Sequence, residues 1–343
     1  MDDKFENRKK NHFFLSLSPE SQSIGSAGFD KVRLIHSALP ELDIEQVSIQ
    51  QSWQAHVLKT PFFVSSMTGG WSDSLAFNLK LAKACERRSW IMAVGSQRGQ
   101  LENPAKAEEW KQIRKACPRL ILLGNLGLSQ LLQVSLKQVL SLVDSLQAQG
   151  MIIHLNPLQE ALQKEGTAQF KGGLKAIEKL TKELSVPVIV KETGCGFSRE
   201  VLDQLTNIGL SVVDVSGLGG THWGRIEGKR YNKEESFFGI GETFSNWGIS
   251  TVQSILYSCE KERDYELWAG GGLRTGLDSA KALALGACFT GFGRIILKAL
   301  QESETELDQL MSRLEYELKV SLFCTGSSNI QELKRIKKWQ MIS

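Results

Sequence analysis

Short apolar runs alternate with amphipathic segments along most of the chain. From Pro61 onward, apolar runs of four to six residues recur, and each is followed by a segment whose apolar positions have helical periodicity. The predicted strands are residues 62–66, 90–95, 120–124, 151–155, 186–190, 212–215, 266–269 and 288–291. The predicted helices are residues 73–88, 104–116, 129–149, 173–184, 199–208, 245–260, 276–285 and a last one from residue 295.

Eight strands that alternate with eight helices indicate the α/β class and a single (β/α)8 TIM barrel. A doubly wound open sheet is the alternative, because hydrophobic periodicity does not prove that a sheet closes. The barrel is predicted over residues 58–302, with an N-terminal extension over residues 1–57 and a C-terminal helical tail over residues 303–343. In such a barrel the active site lies at the carboxyl ends of the strands.

Two segments outside the repeating pattern have predicted roles of their own. Residues 221–244 follow the sixth strand without clear periodicity, which predicts an active-site lid. The tail has an apolar pattern that predicts packing on the barrel exterior or on a neighbouring subunit. Its apolar residues are Leu307, Leu310, Leu314 and Leu318.

Composition narrows the class of protein without changing the fold. A net charge of +3, from 41 basic and 38 acidic residues, argues against nucleic acid as a partner. The 6 cysteines are scattered without a CxxC pair, so we expect reduced thiols in place of a zinc site or a disulfide framework. Since no apolar run approaches the roughly 20 residues that cross a bilayer, a cytoplasmic enzyme without a membrane partner is predicted.

Residues 151–160 carry a dense group of polar side chains. Alternation along the predicted strand places His154 and Asn156 on one face, and a proline then ends the strand. Gln159 and Glu160 follow in the turn. A titratable ring, two amides and a carboxylate in one concave place suit a polar ligand or a divalent cation with oxygen ligands.

Glycine-rich loops follow the seventh and eighth predicted strands. They occupy residues 270–274 and 291–294, and each ends in an arginine, Arg274 and Arg294. Glycine lets the backbone approach a ligand closely, and the first amide groups of the next helix bind anions. Both loops stand where such barrels usually bind phosphate, so we predict a phosphate site.

A lysine and two neutral polar residues indicate which kind of ligand carries the predicted phosphate. Lys191 ends a strongly apolar strand, and a lysine entering the barrel there needs an anionic partner or an electron-rich ring. Ser96 and Asn125 are predicted at the same depth, with donors and acceptors for the edge of a heterocycle. A phosphate site beside these residues suggests flavin mononucleotide.

Several motifs across the chain strengthen this interpretation. They are Arg8-Lys9 with His12, Met67-Thr68-Gly69-Gly70, Gly95-Ser96-Gln97-Arg98, Gly124-Asn125-Leu126-Gly127, His154-Leu155-Asn156 with Gln159-Glu160, Val190-Lys191-Glu192, Gly219-Gly220-Thr221 and Gly271-Gly272-Leu273-Arg274. In this combination the chain resembles the type 2, FMN-dependent isopentenyl diphosphate isomerases over nearly its whole length. One departure is His222 before Trp223, where a small hydroxyl residue is common in the family. Another is Ser65-Ser66 before Met67, where small apolar residues are common.

The resemblance implies roles for individual residues. FMN would be contacted by Ser66, Met67, Thr68, Gly69, Ser96, Asn125, Lys191, Ser216, Thr221, Gly271, Gly272, Leu273, Arg274, Gly293 and Arg294. The substrate would be bound by Arg8, Lys9, His12, Ser96, Gln97, Arg98, His154, Asn156 and Gln159. Glu160 would ligate Mg²⁺. The residues implied to take part in catalysis are Lys191, His154, Asn156, Gln159 and Glu227, the last on the closing segment.

The implied reaction is a 1,3-allylic proton shift that converts isopentenyl diphosphate to dimethylallyl diphosphate in isoprenoid biosynthesis. Protonating an isolated alkene requires a strong acid in a water-poor site. In the family, reduced FMN is the acid/base catalyst, and Lys191 would hold the anionic edge of its ring. The resemblance also implies NADPH or NADH as the flavin reductant and a homo-oligomer, a tetramer or an octamer.

Two other functions remain open on the sequence. An FMN oxidoreductase of the hydroxy-acid oxidase or dihydroorotate dehydrogenase kind would leave Arg8-Lys9 and Gln159-Glu160 unexplained. A non-catalytic flavin-binding or phosphate-binding barrel would bind FMN and form no product. An assay with isopentenyl diphosphate and reduced flavin separates the three.

Overall fold

The computed structural model describes residues 2–71 and 73–342, and the segment before the barrel contains one long α-helix and three short strands. Met1 and Ser343, the outer ends of the predicted extension and tail, lie outside the described residues. The elements are α1 (Asp2–Leu17), β1 (Val32–Leu34), β2 (Gln51–Trp53) and β3 (His56–Leu58). β2 and β3 form an antiparallel hairpin. Its Trp53 is buried against Trp268 inside the barrel, with ring centroids 5.4 Å apart.

The barrel itself consists of eight parallel strands, as predicted. They are β4 (Phe62–Val64), β5 (Ile91–Ala93), β6 (Leu122–Gly127), β7 (Gly150–Leu155), β8 (Val188–Glu192), β9 (Val212–Asp214), β10 (Glu266–Ala269) and β11 (Phe289–Phe292). Each strand pairs with the next along the chain, and β11 pairs with β4 to close the ring. The sheet is therefore closed, and the open-sheet alternative is wrong.

At least one helix follows each barrel strand. The helices are α2 (Ser74–Arg88), α3 (Arg98–Glu102), α4 (Ala107–Ala116), α5 (Leu128–Leu131), α6 (Leu136–Leu146), α7 (Pro157–Leu162), α8 (Gly173–Glu183), α9 (Arg199–Leu205), α10 (Trp223–Gly228), α11 (Ile240–Thr243), α12 (Thr251–Cys259), α13 (Gly276–Leu285) and α14 (Arg294–Glu302). The predicted helix over residues 129–149 is two helices, because Ser135 begins a new one with a capping box. The predicted lid, residues 221–244, contains the short helices α10 and α11.

The tail packs against the outside of the same barrel. It contains α15 (Glu304–Cys324), α16 (Ile330–Ile336) and β12 (Trp339–Met341). α15 lies on α13 and α14, and Leu307, Leu314 and Leu318 are fully buried there. β12 pairs antiparallel with β1, so the tail and the segment before the barrel form a small two-stranded sheet. Among the described residues, no helix is both long and apolar enough to span a membrane.

Two apolar clusters fill the fold. One lies between strands and helices, and the other fills the barrel interior. Strand β7 shows how the pattern divides them, because Met151 and Ile153 face the helices while Ile152 faces the interior. Trp53 and Leu58 of the β2–β3 hairpin join the interior cluster and fill one end of the barrel. The opposite end, at the carboxyl ends of the strands, is left for polar residues.

Candidate active site

Four neighbouring strands each direct one polar side chain into the barrel near their carboxyl ends. Each of these residues lies two positions beyond a residue of the interior apolar cluster, so alternation gives it the same face. The register aligns His154 with Lys191, and Lys191 with Asp214. The polar layer consists of Asn125 on β6, His154 on β7, Lys191 on β8 and Asp214 on β9.

Lys191 is buried in this layer beside Asp214. Its Nζ lies 3.2 Å from Asp214 Oδ2, donates to the main-chain oxygen of Glu192 at 2.9 Å, and donates to Ser216 Oγ. Asp214 in turn accepts the main-chain N–H of Gly270 at 2.7 Å. Such partners are what a buried charge requires. All three N–H groups of Lys191 therefore have partners, and a bound ligand would compete for one of them.

Ser216 joins the lysine to the next loop through an uncommon backbone conformation. Its φ is +32°, a conformation that costs a non-glycine residue about 1–3 kcal/mol. Its main-chain N–H and its Oγ both bond to Asp214 Oδ1, at 3.2 and 3.0 Å. Asp214 thus holds Ser216 in place, and Ser216 contacts the ammonium of Lys191.

A cavity of about 690 Å³ has Lys191 in its wall. Of the predicted cofactor residues, its walls contain Ser66, Met67, Lys191, Ser216, Thr221, Gly271, Gly272, Leu273, Arg274, Gly293 and Arg294. We name it the lysine cavity. The structure therefore brings most of the predicted cofactor residues together.

One end of the lysine cavity has the donors of an anion site. Helix α14 begins at Arg294, so its first N–H groups lie at the wall together with the turn that contains Arg274. Burial and the neighbouring charge of Arg274 lower the pKa of Arg294. The two guanidinium groups repel each other, and an anion bound beside them would relieve that repulsion. This donor set fits the phosphate of FMN.

A second cavity, of about 670 Å³, adjoins the first. Its walls contain the predicted residues Arg8, Lys9, His12, Ser96, Arg98, Asn125, His154, Asn156, Gln159 and Glu160. We name it the α1 cavity, because α1 supplies part of its wall. The two cavities share Ser66, Met67, Thr193 and Trp223, so ligands in the two would meet at this common wall.

Arg8 and Lys9 on α1 are partly desolvated cations that lie close together. Arg8 is 9% exposed, and its Nε has no hydrogen-bond partner within the described parts of the chain. Burial and the neighbouring guanidinium of Arg98 lower the pKa of Arg8. Burial, followed by Arg8 and Arg98, also lowers the pKa of Lys9 to about 8. A cluster of crowded, desolvated cations is a site for a polyanion such as a diphosphate.

Glu227 connects α1 to the predicted lid. It is fully buried on α10, and its Oε1 lies 2.8 Å from His12 Nε2 and accepts from Gln159 Nε2 at 3.1 Å. Its Oε2 accepts from Arg230 at 2.6 Å. Burial alone would raise the pKa of Glu227, but His12 and Arg230 outweigh burial, and the pKa lies below its ordinary value. The ionised carboxylate therefore joins α1, α7 and α10.

His154 presents a lone pair to the α1 cavity. Asn125 donates through Nδ2 to the main-chain oxygen of Val94 at 3.2 Å, so its Oδ1 is left to accept from His154 Nδ1 at 2.8 Å. Burial, with the charges of Lys9 and Lys191, lowers the pKa of His154 to about 3. The ring is therefore neutral, its proton lies on Nδ1, and Nε2 is an acceptor.

Glu160 is a buried carboxylate in the wall of the α1 cavity. Its Oε1 accepts from Asn156 Nδ2 at 3.1 Å, and its Oε2 accepts from the N–H of Thr167 at 2.7 Å. Within residues 2–71 and 73–342, no cluster of three or more His, Cys, Asp or Glu gathers as a metal site. A Mg²⁺ ion at Glu160 would therefore take most ligands from substrate oxygens and water, as Mg²⁺ commonly does.

The structure does not bring every predicted residue to a cavity wall. The amide of Gln97 is buried, donating to the main-chain oxygen of Leu142 at 3.0 Å and accepting the N–H of Asn125 at 3.0 Å. The hydroxyl of Thr68 donates to Asn78 at 2.6 Å, and Gly69 lies against Trp110. These three support the walls from behind. Ser96 and Asn125, predicted for the cofactor, line the α1 cavity instead of the lysine cavity.

Several site residues were not predicted. Asp214 follows Val212 at a spacing of two in a predicted apolar strand, so alternation alone was enough to place it inside the barrel. Thr193 lines both cavities and lies two positions beyond Lys191, so alternation marks it as well. Gln22, Gln130 and Gln163 also line the cavities, and no pattern in the sequence marks them. Gln22 reaches the lysine cavity because its segment pairs with Thr221.

Comparison with known proteins adds independent findings. The profile of the FMN-dependent dehydrogenase family matches residues 125–339. A protein of Bdellovibrio bacteriovorus named isopentenyl-diphosphate delta-isomerase is 47% identical over 337 residues, 97% of each chain. A protein of the same name from Legionella pneumophila is 46% identical, and the match covers 96% of each chain. One from Methanoregula boonei is 38% identical, and the match covers 96% of this chain and 92% of that protein.

Solved structures support the fold alone. A mutant (S)-mandelate dehydrogenase superposes with a TM-score of 0.70 at 16% identity, covering 99% of each chain. The flavin-binding domain of baker's yeast flavocytochrome b2 superposes with a TM-score of 0.67 at 18% identity, covering 94% of this chain and 79% of that one. Both agree with the barrel described above.

Proposed function

The chain belongs to the isopentenyl-diphosphate delta-isomerase family, and on that premise we propose that it converts isopentenyl diphosphate to dimethylallyl diphosphate with FMN in the lysine cavity and substrate in the α1 cavity. The observation that carries the proposal is the wall shared by the two cavities. An anion site with Lys191 lies on one side of it, and a cluster of desolvated cations lies on the other. A flavin and a prenyl diphosphate are the pair of ligands that this arrangement suits.

FMN is supported as the cofactor by the match to an FMN-dependent family and by the donor set of the lysine cavity. The turn from Gly271 to Arg274 and the start of α14 would hold its phosphate. Lys191 would bind the ring edge after exchanging one of its present acceptors. When bound and reduced, FMN supplies the proton that is exchanged with the alkene and an electron-rich ring that stabilises cationic character.

The residues of the α1 cavity would bind the substrate. Arg8, Lys9 and Arg98 would neutralise the diphosphate, and the unsatisfied Nε of Arg8 supports this role. Ser96 and Asn156 would add neutral hydrogen bonds. Because the Gln97 side chain is bonded to Leu142 and Asn125, its contribution would be to hold the polar layer in register.

The chain's own groups would also control protons and water around the alkene. Glu227 is ionised and buried, and it fixes His12 and Gln159 at the cavity wall. His154 would remain neutral and accept a hydrogen bond through Nε2. Closing of α10 over the substrate would exclude water, which lengthens the lifetime of a cationic centre.

Mg²⁺ bound through Glu160 is part of the proposal and has its own test. In Glu160→Gln the amide keeps its size and loses the negative charge that a hard cation requires. We expect the Mg²⁺ concentration for half-maximal activity to rise about tenfold, since a charged ligand is worth about 1.4 kcal/mol or more. Glu165→Gln, an exposed carboxylate on the same segment, is the control. An unaltered magnesium titration would remove Glu160 from the metal site.

Two further features of the proposal depend on the resemblance. NADPH or NADH would reduce the flavin, and the chain would assemble as a tetramer or an octamer. A cytoplasmic location is proposed from the scattered cysteines alone.

An anaerobic isomerase assay tests the proposed function directly. Purified protein is incubated with isopentenyl diphosphate, FMN, dithionite and Mg²⁺, and each component is omitted in turn. We expect dimethylallyl diphosphate to form with catalytic reductant and to disappear without FMN. Consumption of reductant in proportion to product would instead favour an oxidoreductase, and equal turnover without FMN would overturn the proposal.

A further inference from the structure

His222 is a buried histidine just outside both cavities. It is 1% exposed and immediately precedes α10, the helix that carries Trp223 and Glu227. Its position is also where this chain departs from the family pattern. The function proposed above gives it no role, although every substrate-facing group of α10 depends on where that helix begins.

The imidazole of His222 caps α10. Its Nδ1 accepts the main-chain N–H of Arg225 at 3.2 Å, which is the bond that a serine or asparagine makes at a helix N-cap. Because Nδ1 accepts, the ring proton lies on Nε2. Burial lowers the pKa of His222, with Arg225 and Glu242 as the neighbouring charged groups, so the ring remains neutral.

The main chain at His222 also joins the start of α10 to the segment that follows α1. Its main-chain N–H donates to the carbonyl of Ser21, which lies on the segment after α1, at 2.9 Å. Its ring Nε2 is buried and has no hydrogen-bond partner among the described residues. The ring also packs closely on α10, because a Cβ added at Gly224 would lie 3.0 Å from its Cε1.

We infer that His222 is a positioning residue for the reaction: it sets the start of α10 against the segment of Ser21, and so places Trp223 in the wall shared by the cavities and Glu227 against His12 and Gln159. Trp223 lies in the wall shared by the two cavities, and its ring meets that of His12 edge-on, with centroids 5.5 Å apart. Glu227 lies one turn further along and contacts His12 and Gln159. An altered start of α10 would move both.

A matched pair of amides tests this inference, which depends on the proposed function. His222→Asn keeps an acceptor close to the Nδ1 position, whereas His222→Gln moves its amide outward to the Nε2 position. The Arg225 N–H then keeps only its bond of 3.1 Å to the main-chain oxygen of residue 222. We expect kcat to fall about tenfold in His222→Gln, as the loss of a cap suggests, and to stay within about threefold in His222→Asn. FMN content should match the wild type in both. Equal kcat values in the two variants would overturn the inference.

Two further measurements separate positioning from general stability and from the function itself. Ser303→Ala removes a cap bond of 3.0 Å from α15 on the barrel exterior, and it should lower Tm and leave kcat unchanged; an equal loss of kcat there would overturn the inference. Amide exchange at Arg225 should quicken in His222→Gln and not in His222→Asn, and unchanged exchange in both also overturns it. The amide-exchange measurement does not require isomerase activity. A failure of this inference can therefore be distinguished from a failure of the proposed function.

Discussion

The lysine cavity and the α1 cavity share a wall and are built in different ways. The barrel strands and their loops form most of the lysine cavity, and its central charge, Lys191, is paired within the sheet with Asp214. The α1 cavity is completed by a helix that comes from outside the barrel and carries Arg8, Lys9 and His12. The barrel forms most of the lysine cavity by itself, whereas the α1 cavity is complete only while α1 is docked.

The two cavities also differ in how their charges are balanced. In the lysine cavity each N–H of Lys191 already has a partner, which keeps a buried ammonium from being unpaired. In the α1 cavity the Arg8 Nε has no partner among the residues described, and Lys9 has a lowered pKa. The difference indicates that the first cavity is organised before its ligand arrives, whereas the second gains part of its stability from its ligand.

Lys191→Ala should break the lysine cavity and have the largest effect. It leaves Asp214 buried without its cationic partner. Such a loss lowers the free energy of unfolding by about 3–5 kcal/mol, which corresponds to about a thousandfold in an equilibrium constant. We expect FMN to be lost on gel filtration and kcat to fall about a thousandfold with FMN in excess. Lys191→Met with Asp214→Asn, which removes both charges, should recover Tm without recovering activity. Retention of FMN at the wild-type level would contradict the prediction.

Glu227→Gln should damage the α1 cavity and spare the other. Arg230 loses its ionic partner, and His12 loses the carboxylate beside it, at the junction of α1 and α10, so we expect kcat to fall about a hundredfold, as for a buried charge contact. FMN content, read from flavin absorbance, should stay unchanged. Glu235→Gln, which breaks an exposed pair on the same lid, should keep full activity. A loss of FMN in Glu227→Gln would show that the cavities are not separable.

Arg8→Ala should impair substrate binding in the α1 cavity and leave the chemical step unchanged. A charge-assisted bond to phosphate is worth about 1.5–3 kcal/mol, so KM should rise about thirtyfold while kcat stays near the wild type. Lys10→Ala removes an exposed cation one residue beyond the Arg8-Lys9 pair on α1 and serves as the control. An unchanged KM in Arg8→Ala would show that α1 contributes only packing.

The pH dependence of KM should give the smallest effect. Lys9, whose pKa burial lowers to about 8, is charged at pH 7 and about one-tenth charged at pH 9. If only the charged form binds diphosphate, KM rises about tenfold as pH rises from 7 to 9. In Lys9→Arg the guanidinium stays charged, so this rise should disappear. A rise of the same size in Lys9→Arg would assign it to another group.

The barrel and the polar layer were predictable from the sequence because both follow from side-chain alternation. The eight apolar runs gave the eight strands, and alternation placed His154 on the interior side, two residues beyond Ile152. The same rule applied to Val212 places Asp214 inside the barrel, so Asp214 was predictable as well. Closure itself was not determined by periodicity, because the pairing of β11 with β4 joins distant segments.

Helix α1 was not predictable from hydrophobic periodicity. Its buried side chains are Phe5, Arg8, His12, Phe13 and Ser16, and three of these five are polar. Such a face is stabilised by specific partners on other elements, and a single sequence does not show those partners. The resemblance to a family supplied Arg8, Lys9 and His12, but not the contact between His12 and Glu227 that connects α1 to α10.

The β2–β3 hairpin has a consequence for how ligands enter and leave. Because Trp53 and Leu58 fill the amino-terminal end of the barrel, no molecule reaches the interior from that direction, and traffic in both ligands is confined to the carboxyl-terminal end. On the proposed function, a substrate seated against Trp223 would obstruct the departure of a neighbouring flavin. Flavin exchange would then slow during turnover, and cofactor loss would be greatest in the absence of substrate.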